Sequence, residues 1–179
     1  MIQSFSTPKG EISIRMATPE DAALLRELRL EALTMHPEAF SADVYMTSQE
    51  DTVIWAGRVA EYAEKVSGAI YIAETGGQII GMDGISRGHW PKTHHSGTLW
   101  GVYVKSGWRG YQIGEQLVNG CIEWAKENGV TVVKLGVSIS NIPAIHCYSQ
   151  CGFTIYGVEP KVIYYADAFY DELLMAKLI

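Results

Sequence analysis

The stretch with the clearest capacity for chemistry runs from Leu99 to Val118. Large apolar, aromatic and β-branched residues predict a strand over 99–104, and apolar residues at intervals of three and four predict a helix from Ile113. The residues between them that could serve a ligand are Gly107, Arg109, Gly110 and Gly114. Glycines let the backbone approach a ligand closely, and free N–H groups at a helix start bind anions. The pattern predicts an anion site at this junction.

A second segment, residues 140–153, has the pattern of a short capped helix. Asn141 is placed to cap the helix, Pro143 suits its first turn, and Gly152 suits the left-handed residue that closes it. Tyr148 lies inside this helix. The cap and a ligand contact are both open roles for Asn141.

Together the two segments resemble the signatures of the GNAT N-acetyltransferases. Residues 109–114, RGYQIG, match the family pattern Arg/Gln-x-x-Gly-x-Gly/Ala, except that Gln112 stands where glycine is usual. Residues 141–153 fill every named position of Asn-x-x-Ala-x-x-x-Tyr-x-x-x-Gly-Phe. Asn141 follows Gly114 by 27 residues, a separation typical of the family.

The resemblance implies one domain over residues 1–179, with an α/β fold and acetyl-CoA as co-substrate. The expected architecture is a mixed central β-sheet of about six to seven strands with helices on both faces. Residues 30–45 would form a wall of the acceptor site. The residues expected to bind the cofactor are Val102, Tyr103, Val104, Arg109, Gly110, Tyr111, Gln112, Ile113, Gly114, Asn141 and Tyr148.

The resemblance also implies roles for these residues. The loop 109–114 would hold the pyrophosphate, and Val102 and Val104 would pair with the pantetheine arm through their backbone. The amide near Val102 would polarise the thioester carbonyl, as preorganised donors do for a developing oxyanion. Tyr148 would be the catalytic acid that protonates the departing thiolate. The alternative for Tyr148 is simple packing beside Phe153.

The general base has no clear candidate. Many members of the family carry a glutamate on the strand equivalent to 99–104, but this strand has no acidic residue. Glu31, Asp83 and His95 are candidates by approximate location only.

Other classes of site fit the sequence less well. A dinucleotide site is disfavoured because GxGxxG is absent, and a P-loop is excluded because no Gly-Lys-Ser/Thr sequence ends the loop. The histidines and cysteines do not indicate a metal site, because adjacent histidines point in different directions and cysteines four apart on a helix favour packing. The residues concerned are His94, His95, His146, Cys147 and Cys151.

Composition narrows the function classes further. The 179 residues carry a net charge of −6 and no cluster of Lys and Arg, which argues against a nucleic-acid surface. No apolar run approaches the roughly 20 residues of a membrane helix, and the N-terminus lacks the pattern of a secretory signal. Three cysteines without the spacing of a disulfide framework favour a reducing cytoplasm.

Periodicity and turn signals predict the elements that position the site. A helix capped by Thr18 should end at Pro37, with its buried face on Leu24, Leu25, Leu28, Ala32 and Met35. A second helix is expected over 48–65, capped by Ser48, with Val53 or Ile54 among its buried residues. The predicted strands are 11–16, 69–74, 78–86, 99–104, 130–137, 153–158 and 170–178, with a loop over 37–47 and another over 159–169.

The sequence thus predicts an N-acetyltransferase that moves an acetyl group from acetyl-CoA to a primary amine by direct attack in a ternary complex. A small amine, an amino acid, an antibiotic and a protein N-terminus all stay open as acceptors, and a homodimer is compatible with this interpretation. The alternatives are a non-catalytic acyl-CoA sensor, favoured by Gln112 and the missing acidic residue, and a nucleotide-binding α/β module.

Overall fold

The strands of the chain form a single mixed sheet. The computed structural model describes residues 3–179, apart from the side chain of Lys65. The strands are β1 (Gln3–Thr7), β2 (Gly10–Met16), β3 (Gly68–Thr75), β4 (Gln78–Arg87), β5 (Ser96–Val104), β6 (Val132–Ser138), β7 (Thr154–Tyr165) and β8 (Ala168–Leu178). They lie in the order β1-β2-β3-β4-β5-β6-β8-β7. The mixed α/β architecture with helices on both faces is confirmed.

Five α-helices accompany the sheet within the described residues: α1 (Ala22–Met35), α2 (Val44–Gln49), α3 (Thr52–Lys65), α4 (Ile113–Glu127) and α5 (Ile142–Gln150). Short 3-10 turns lie at Pro37–Ala39, after α1, and at Ser106–Trp108, directly before Arg109. Over residues 3–179, no helix combines the length and apolar character needed to cross a membrane.

Two apolar cores lie on the two faces of the sheet, because side chains alternate between faces along each strand. On one face, Leu117 and Ile122 of α4 are buried against the sheet, and α5 packs beside them. On the other, Leu25 and Leu28 of α1 and Trp55 of α3 are buried. Each such side chain contributes about 1.5–3 kcal/mol through burial. The sheet is thus held rigidly between two helical layers.

The contact between β5 and β6 differs from every other strand contact in the sheet. All other neighbouring strands are antiparallel, whereas β5 and β6 are parallel and joined through α4. Their pairing covers only Ser96–Thr98 with Val132–Lys134. Beyond those residues the two strands diverge towards their carboxyl ends.

The sheet has eight strands, one or two more than the six to seven predicted. The additional strand is β1, which forms a hairpin with β2 across Thr7 and Gly10. The expected loop over 159–169 is also wrong, because β7 continues to Tyr165 and the turn is only Ala166–Asp167. Both turn residues have positive φ, as the two central residues of a tight hairpin turn require.

The helices between β2 and β3 were also placed incorrectly. Instead of one helix over 48–65 capped by Ser48, α2 occupies part of the expected loop and α3 begins after Asp51, whose carboxylate accepts the Ile54 N–H at 3.0 Å. Val53 and Ile54 are both exposed. Leu24 and Met35 of α1, expected on its buried face, are exposed as well.

Candidate active site

A cavity of about 540 Å³, hereafter the α4 cavity, opens where β5 and β6 diverge. Its walls come from four parts of the chain. These are residues 102–104 at the end of β5, residues between 108 and 115 around the start of α4, residues between 138 and 147 at the end of β6 and on α5, and residues within 36–40 after α1. The divergence of the two strands therefore creates the space, and the loops that follow them enclose it.

The first turn of α4 supplies backbone donors to this cavity. The first bond within the helix runs from the Gln116 N–H to the Gln112 carbonyl at 3.1 Å, and within the described residues no side chain caps the helix. The N–H groups of Ile113, Gly114 and Glu115, all residues of the cavity wall, therefore have no partner inside the helix. Such a helix start stabilises negative charge.

The loop before α4 depends on backbone conformations that glycine adopts without strain. Gly110 has φ +84° and Gln112 has φ +59°. Gln112 thus takes a left-handed conformation that costs a non-glycine residue about 1 kcal/mol. A Cβ on Gly114 would lie 3.3 Å from the Cys147 sulfur, so glycine there lets α4 and α5 approach closely. The departure at Gln112 therefore retains the loop shape that its glycine equivalents would have.

The edge of β5 that faces the cavity has no strand partner in the described residues beyond Thr98. On its other edge, β5 pairs with β4 but contains a bulge, with Gly101 and Val102 both opposite Asp83. Gly101 has φ +72°, which the bulge requires. An extended ligand could therefore pair with the free edge as an added strand.

Arg109 reaches across the wall of the α4 cavity. Its Nε donates to the Val104 carbonyl at 3.2 Å, and its Nη2 donates to Nε2 of His36 at 2.9 Å. The guanidinium also lies 5.9 Å from the centre of the Tyr103 ring. These contacts link the loop before α4 to the segment after α1 and hold one positive charge at the cavity.

Tyr103 links β5 to α1. Its hydroxyl donates to Oε1 of Glu31 at 2.9 Å, and Lys105 Nζ lies 3.5 Å from Oε2 of the same carboxylate. Burial, followed by the nearby carboxylate, raises the pKa of Tyr103 to about 12. This phenol is therefore protonated at neutral pH.

The other two candidate bases, like Glu31, are not among the residues that line the α4 cavity. His95 precedes β5, at the end of the strand opposite the cavity. Asp83 is completely buried, and both its carboxylate oxygens have no hydrogen-bond partner in the described residues. Burial raises the pKa of Asp83 well above its usual range, so that the carboxyl is neutral in the core.

The helix α5 brings Asn141 to the wall and Tyr148 into the core. Oδ1 of Asn141 accepts the Ala144 N–H at 3.3 Å, which makes Asn141 the helix cap. Tyr148 is 6% exposed and packs edge-to-face on Phe153, with the ring centres 6.1 Å apart. Burial raises the pKa of Tyr148 above its usual range. Its hydroxyl therefore stays protonated at neutral pH.

Nine of the eleven residues predicted to bind the cofactor lie together on the α4 cavity wall. The two others are Tyr148 and Tyr111, which lies edge-to-face with Trp108 at 6.5 Å. His36 and Glu38 fall within the acceptor wall expected over 30–45, whereas sequence reasoning gave no site role to five other wall residues, namely Glu115, Ser138, Ser140, His146 and Cys147. These five residues follow or flank the two motifs and form no pattern of their own, so the sequence carried no signal for them.

Within residues 3–179, no three His, Cys, Asp or Glu side chains cluster as a metal site requires. Cys121 and Cys151 are buried, and Cys147 is half-buried beside Gly114.

Known proteins with similar sequences and structures share this architecture. A crystal structure of a GNAT-family acetyltransferase from Streptococcus pneumoniae has a TM-score of 0.84 and 26% identity, and the match covers 94% of this chain and 99% of that one. The ribosomal-protein-alanine N-acetyltransferase of Brucella melitensis gives a TM-score of 0.80 at 25% identity, over 93% of this chain and 99% of that one. The protein yncA from Salmonella typhimurium, solved with its cofactor acetyl-CoA, gives 0.81 at 21% identity over 93% of each chain.

The curated relatives match over shorter stretches. Mycothiol acetyltransferase of Thermomonospora curvata is 32% identical over 92 residues, which is 50% of this chain and 29% of that protein. This chain thus covers less than a third of that relative. The family model for the acetyltransferase (GNAT) family matches residues 26–153, which include both motifs and every wall of the α4 cavity. The chain therefore belongs to the GNAT acetyltransferase family.

Proposed function

We propose that the protein is an N-acetyltransferase that transfers the acetyl group of acetyl-CoA to a primary amine in a ternary complex. The observation that carries this proposal is the meeting of two features in the α4 cavity. The uncapped start of α4 and the unpaired edge of β5 line the same space. One suits a phosphate group and the other suits an extended amide-containing arm.

In this proposal the pyrophosphate binds the N–H groups of residues 113–115, with the Arg109 guanidinium close by. The pantetheine arm then runs along the free edge of β5 at Val102 and Val104. The similarly folded yncA, solved with acetyl-CoA, supports this use of the fold. The thioester would lie beside the bulge at Gly101, where the strand edge is open on the β6 side.

The proposed reaction is direct attack. The lone pair of the neutral amine forms a bond to the thioester carbonyl carbon, and the carbonyl oxygen takes the negative charge of the tetrahedral intermediate. The backbone N–H near Val102 stabilises that charge. The nitrogen, which became positively charged when the bond formed, gives a proton to water. The C–S bond then breaks, the amide carbonyl re-forms, and the thiolate receives a proton. Tyr148 is the proposed proton donor, as the resemblance to the family implies, and it lies on α5, other residues of which line the cavity.

The proposal is tested by calorimetric titration with acetyl-CoA, CoA, NAD and ATP, followed by detection of free thiol across a panel of amines. We expect selective binding of acetyl-CoA and release of CoA with at least one class of amine. Binding without turnover would identify an acyl-CoA sensor instead. Preference for NAD or ATP would overturn the proposal in favour of a nucleotide-binding module.

A further inference from the structure

A second cavity, of about 300 Å³, lies on the face of the sheet covered by α1 and α3. We call it the Arg29 cavity, after the side chain from α1 that lines it. Trp55 of α3 and Trp100 of β5 form further parts of its wall. A Cβ on Gly84 would overlap the Trp100 ring, so glycine on β4 lets this indole lie flat against the neighbouring strand.

Three hydrogen-bond donors on the residues of this wall are buried without an acceptor anywhere in the described residues. They are Nη1 of Arg29, Nε1 of Trp55 and Nε1 of Trp100. Arg29 is only 8% exposed, yet its Nη1 has no hydrogen-bond partner in the described part of the chain. A buried donor without a partner is unfavourable, so each of these groups would gain from an acceptor.

The acceptors on the same wall are already engaged. Both carboxylate oxygens of Glu50 accept from Nη2 of Arg58, at 3.1 and 3.3 Å. The hydroxyls of Tyr62 and Ser86 bond to each other at 2.9 Å. What this cavity offers a ligand is therefore an excess of donors.

The charge of the Arg29 cavity favours the same kind of ligand. Glu50 neutralises Arg58, while the charge of Arg29 is left unbalanced. Burial and the neighbouring Arg58 lower the pKa of Arg29 to about 10, which still leaves it protonated at neutral pH. A buried cation without a counter-ion is costly, and a bound anion would relieve that cost.

Arg29 also connects the two cavities. Its guanidinium lies 4.7 Å from the centre of the Phe40 ring, and Phe40 lines the α4 cavity. Its Nη1 lies 3.3 Å from the point that a Cβ on Gly101 would occupy. Gly101 forms the bulge with Val102, where the proposed thioester lies. A ligand held by Arg29 would therefore place its neighbouring atoms at the bulge.

We infer that the acceptor amine carries a compact oxyanion, most simply the carboxylate of an amino acid, which binds Arg29 and the indole N–H groups of Trp55 and Trp100. This inference rests on the proposed function and specifies its acceptor. The amine, one or two bonds from the carboxylate, then reaches the thioester beside Gly101. Amines without an anionic group leave the three donors and the cation unsatisfied.

The test compares acids with their neutral carboxamides. L-Alanine, L-methionine, L-phenylalanine and L-lysine are each titrated beside the corresponding carboxamide into the protein saturated with CoA, and binding is measured by calorimetry. We expect at least one acid to bind ten to a hundred times more tightly than its amide, as loss of hydrogen bonds to a charged group requires. Equal binding within every pair, or no binding of any acid, would overturn the inference.

Substitutions locate the effect. Arg29→Met should reduce the ratio between acid and amide to about one, and Arg29→Lys should restore part of it because the charge returns. Arg87→Met removes the same charge from a half-buried side chain that lines neither cavity and bonds only to the His94 carbonyl in the described residues, so it should leave the ratio unchanged. Trp100→Phe, which removes one donor, should weaken acid binding about threefold to tenfold. It tests the site even if Arg29→Met fails to fold, and an unaltered ratio in both variants contradicts the inference.

Titration of the same variants with acetyl-CoA, in samples without CoA, separates this inference from the proposed function. Normal acetyl-CoA binding without a preference for acids would overturn only the acceptor class. Selective acid binding without acetyl-CoA binding would overturn the acetyltransferase proposal and retain the anion site.

Discussion

The α4 cavity and the Arg29 cavity share no wall residue and are built from different parts of the chain. The first presents backbone N–H groups from consecutive residues, 113–115, whereas the second presents side-chain donors from residues 29, 55 and 100. A backbone site depends on conformation, and so it persists with glutamine at position 112. A side-chain site depends on residue identity. We therefore expect the α4 cavity to serve the cofactor and the Arg29 cavity to determine what this particular chain acetylates.

Substitution of Gly114 should break the first site while sparing the second. In Gly114→Val the new side chain would press on Cys147 and cover the first turn of α4. Loss of several charge-assisted hydrogen bonds should weaken acetyl-CoA binding about 1,000-fold. Calorimetry with acetyl-CoA and with the preferred amino acid would show whether only the former is lost.

Gly57 provides the matched control for that change. It lies on α3, and a Cβ there would contact nothing within 4 Å. Gly57→Val should therefore leave acetyl-CoA affinity unchanged. Equal affinity in Gly114→Val and the wild type would place the phosphates elsewhere.

Removal of the Tyr148 hydroxyl should separate chemistry from binding in the α4 cavity. Tyr148→Phe is expected to lower kcat about 100-fold, the size of a general acid contribution, with acetyl-CoA affinity within threefold of the wild type. Tyr156→Phe is the control, since Tyr156 is exposed on β7 and does not line the α4 cavity. A wild-type kcat in Tyr148→Phe would leave Tyr148 as a packing residue.

Reversal of charge at Arg109 should weaken cofactor binding but leave acceptor selectivity intact. Arg109→Glu replaces a cation beside the proposed pyrophosphate, and a loss of about 20-fold in acetyl-CoA affinity is expected from one charged contact. The ratio between acid and amide in the Arg29 cavity should not change. Lys126→Glu makes the same change at the far end of α4, where Lys126 pairs with Glu123, and should have little effect. Similar affinities for both variants would contradict a phosphate role for Arg109.

Asp83 should affect the stability of the fold rather than either cavity. Its ordinary pKa is 3.8, and burial raises it in the folded protein. Between those two values unfolding releases a proton, so this group lowers the free energy of unfolding as pH rises, by up to about 1.4 kcal/mol per pH unit. Asn at position 83 cannot ionise. The gain in the free energy of unfolding of Asp83→Asn over the wild type should therefore be larger at pH 8 than at pH 5. Urea unfolding at both values measures this margin.

Asp21 offers the opposite case for comparison. A hydrogen bond from Arg15 lowers the pKa of its carboxyl, so its contribution to stability is present at neutral pH and lost in acid. Asp21→Asn should therefore be less stable than the wild type at pH 7, with a difference that shrinks towards pH 3.

The Asp83 prediction has a clear contrary outcome. If the stability difference between Asp83→Asn and the wild type were the same at pH 5 and pH 8, the Asp83 carboxyl would be ionised in the core.

The backbone site could be predicted from the sequence because its residues are contiguous. The loop 109–114 and the cap at Asn141 depend on local conformation, which glycine spacing and capping residues reveal. The Arg29 cavity could not be predicted, since its donors come from three elements far apart in the sequence. None of the three residues lies in a local pattern that distinguishes it from an ordinary core residue. The full length of β7 was missed for a local reason, because Gly157 and Pro160 indicate a break in a strand.

The short contact between β5 and β6 also divides the sheet mechanically. Five antiparallel strands, β1 to β5, and three more, β6 to β8, are joined by α4 and by a short contact. In the described residues this contact has three strand-paired residues on each side, and the His95 carbonyl next to them accepts the N–H groups of residues 131 and 132. Few hydrogen bonds therefore connect β1–β5 to β6–β8, whereas within each set the strands are hydrogen-bonded over most of their length. A pantetheine arm bound along β5 would form the hydrogen bonds that β6 does not make with this edge. Amide hydrogen exchange in β5 should therefore slow when acetyl-CoA binds, with the cofactor completing the sheet.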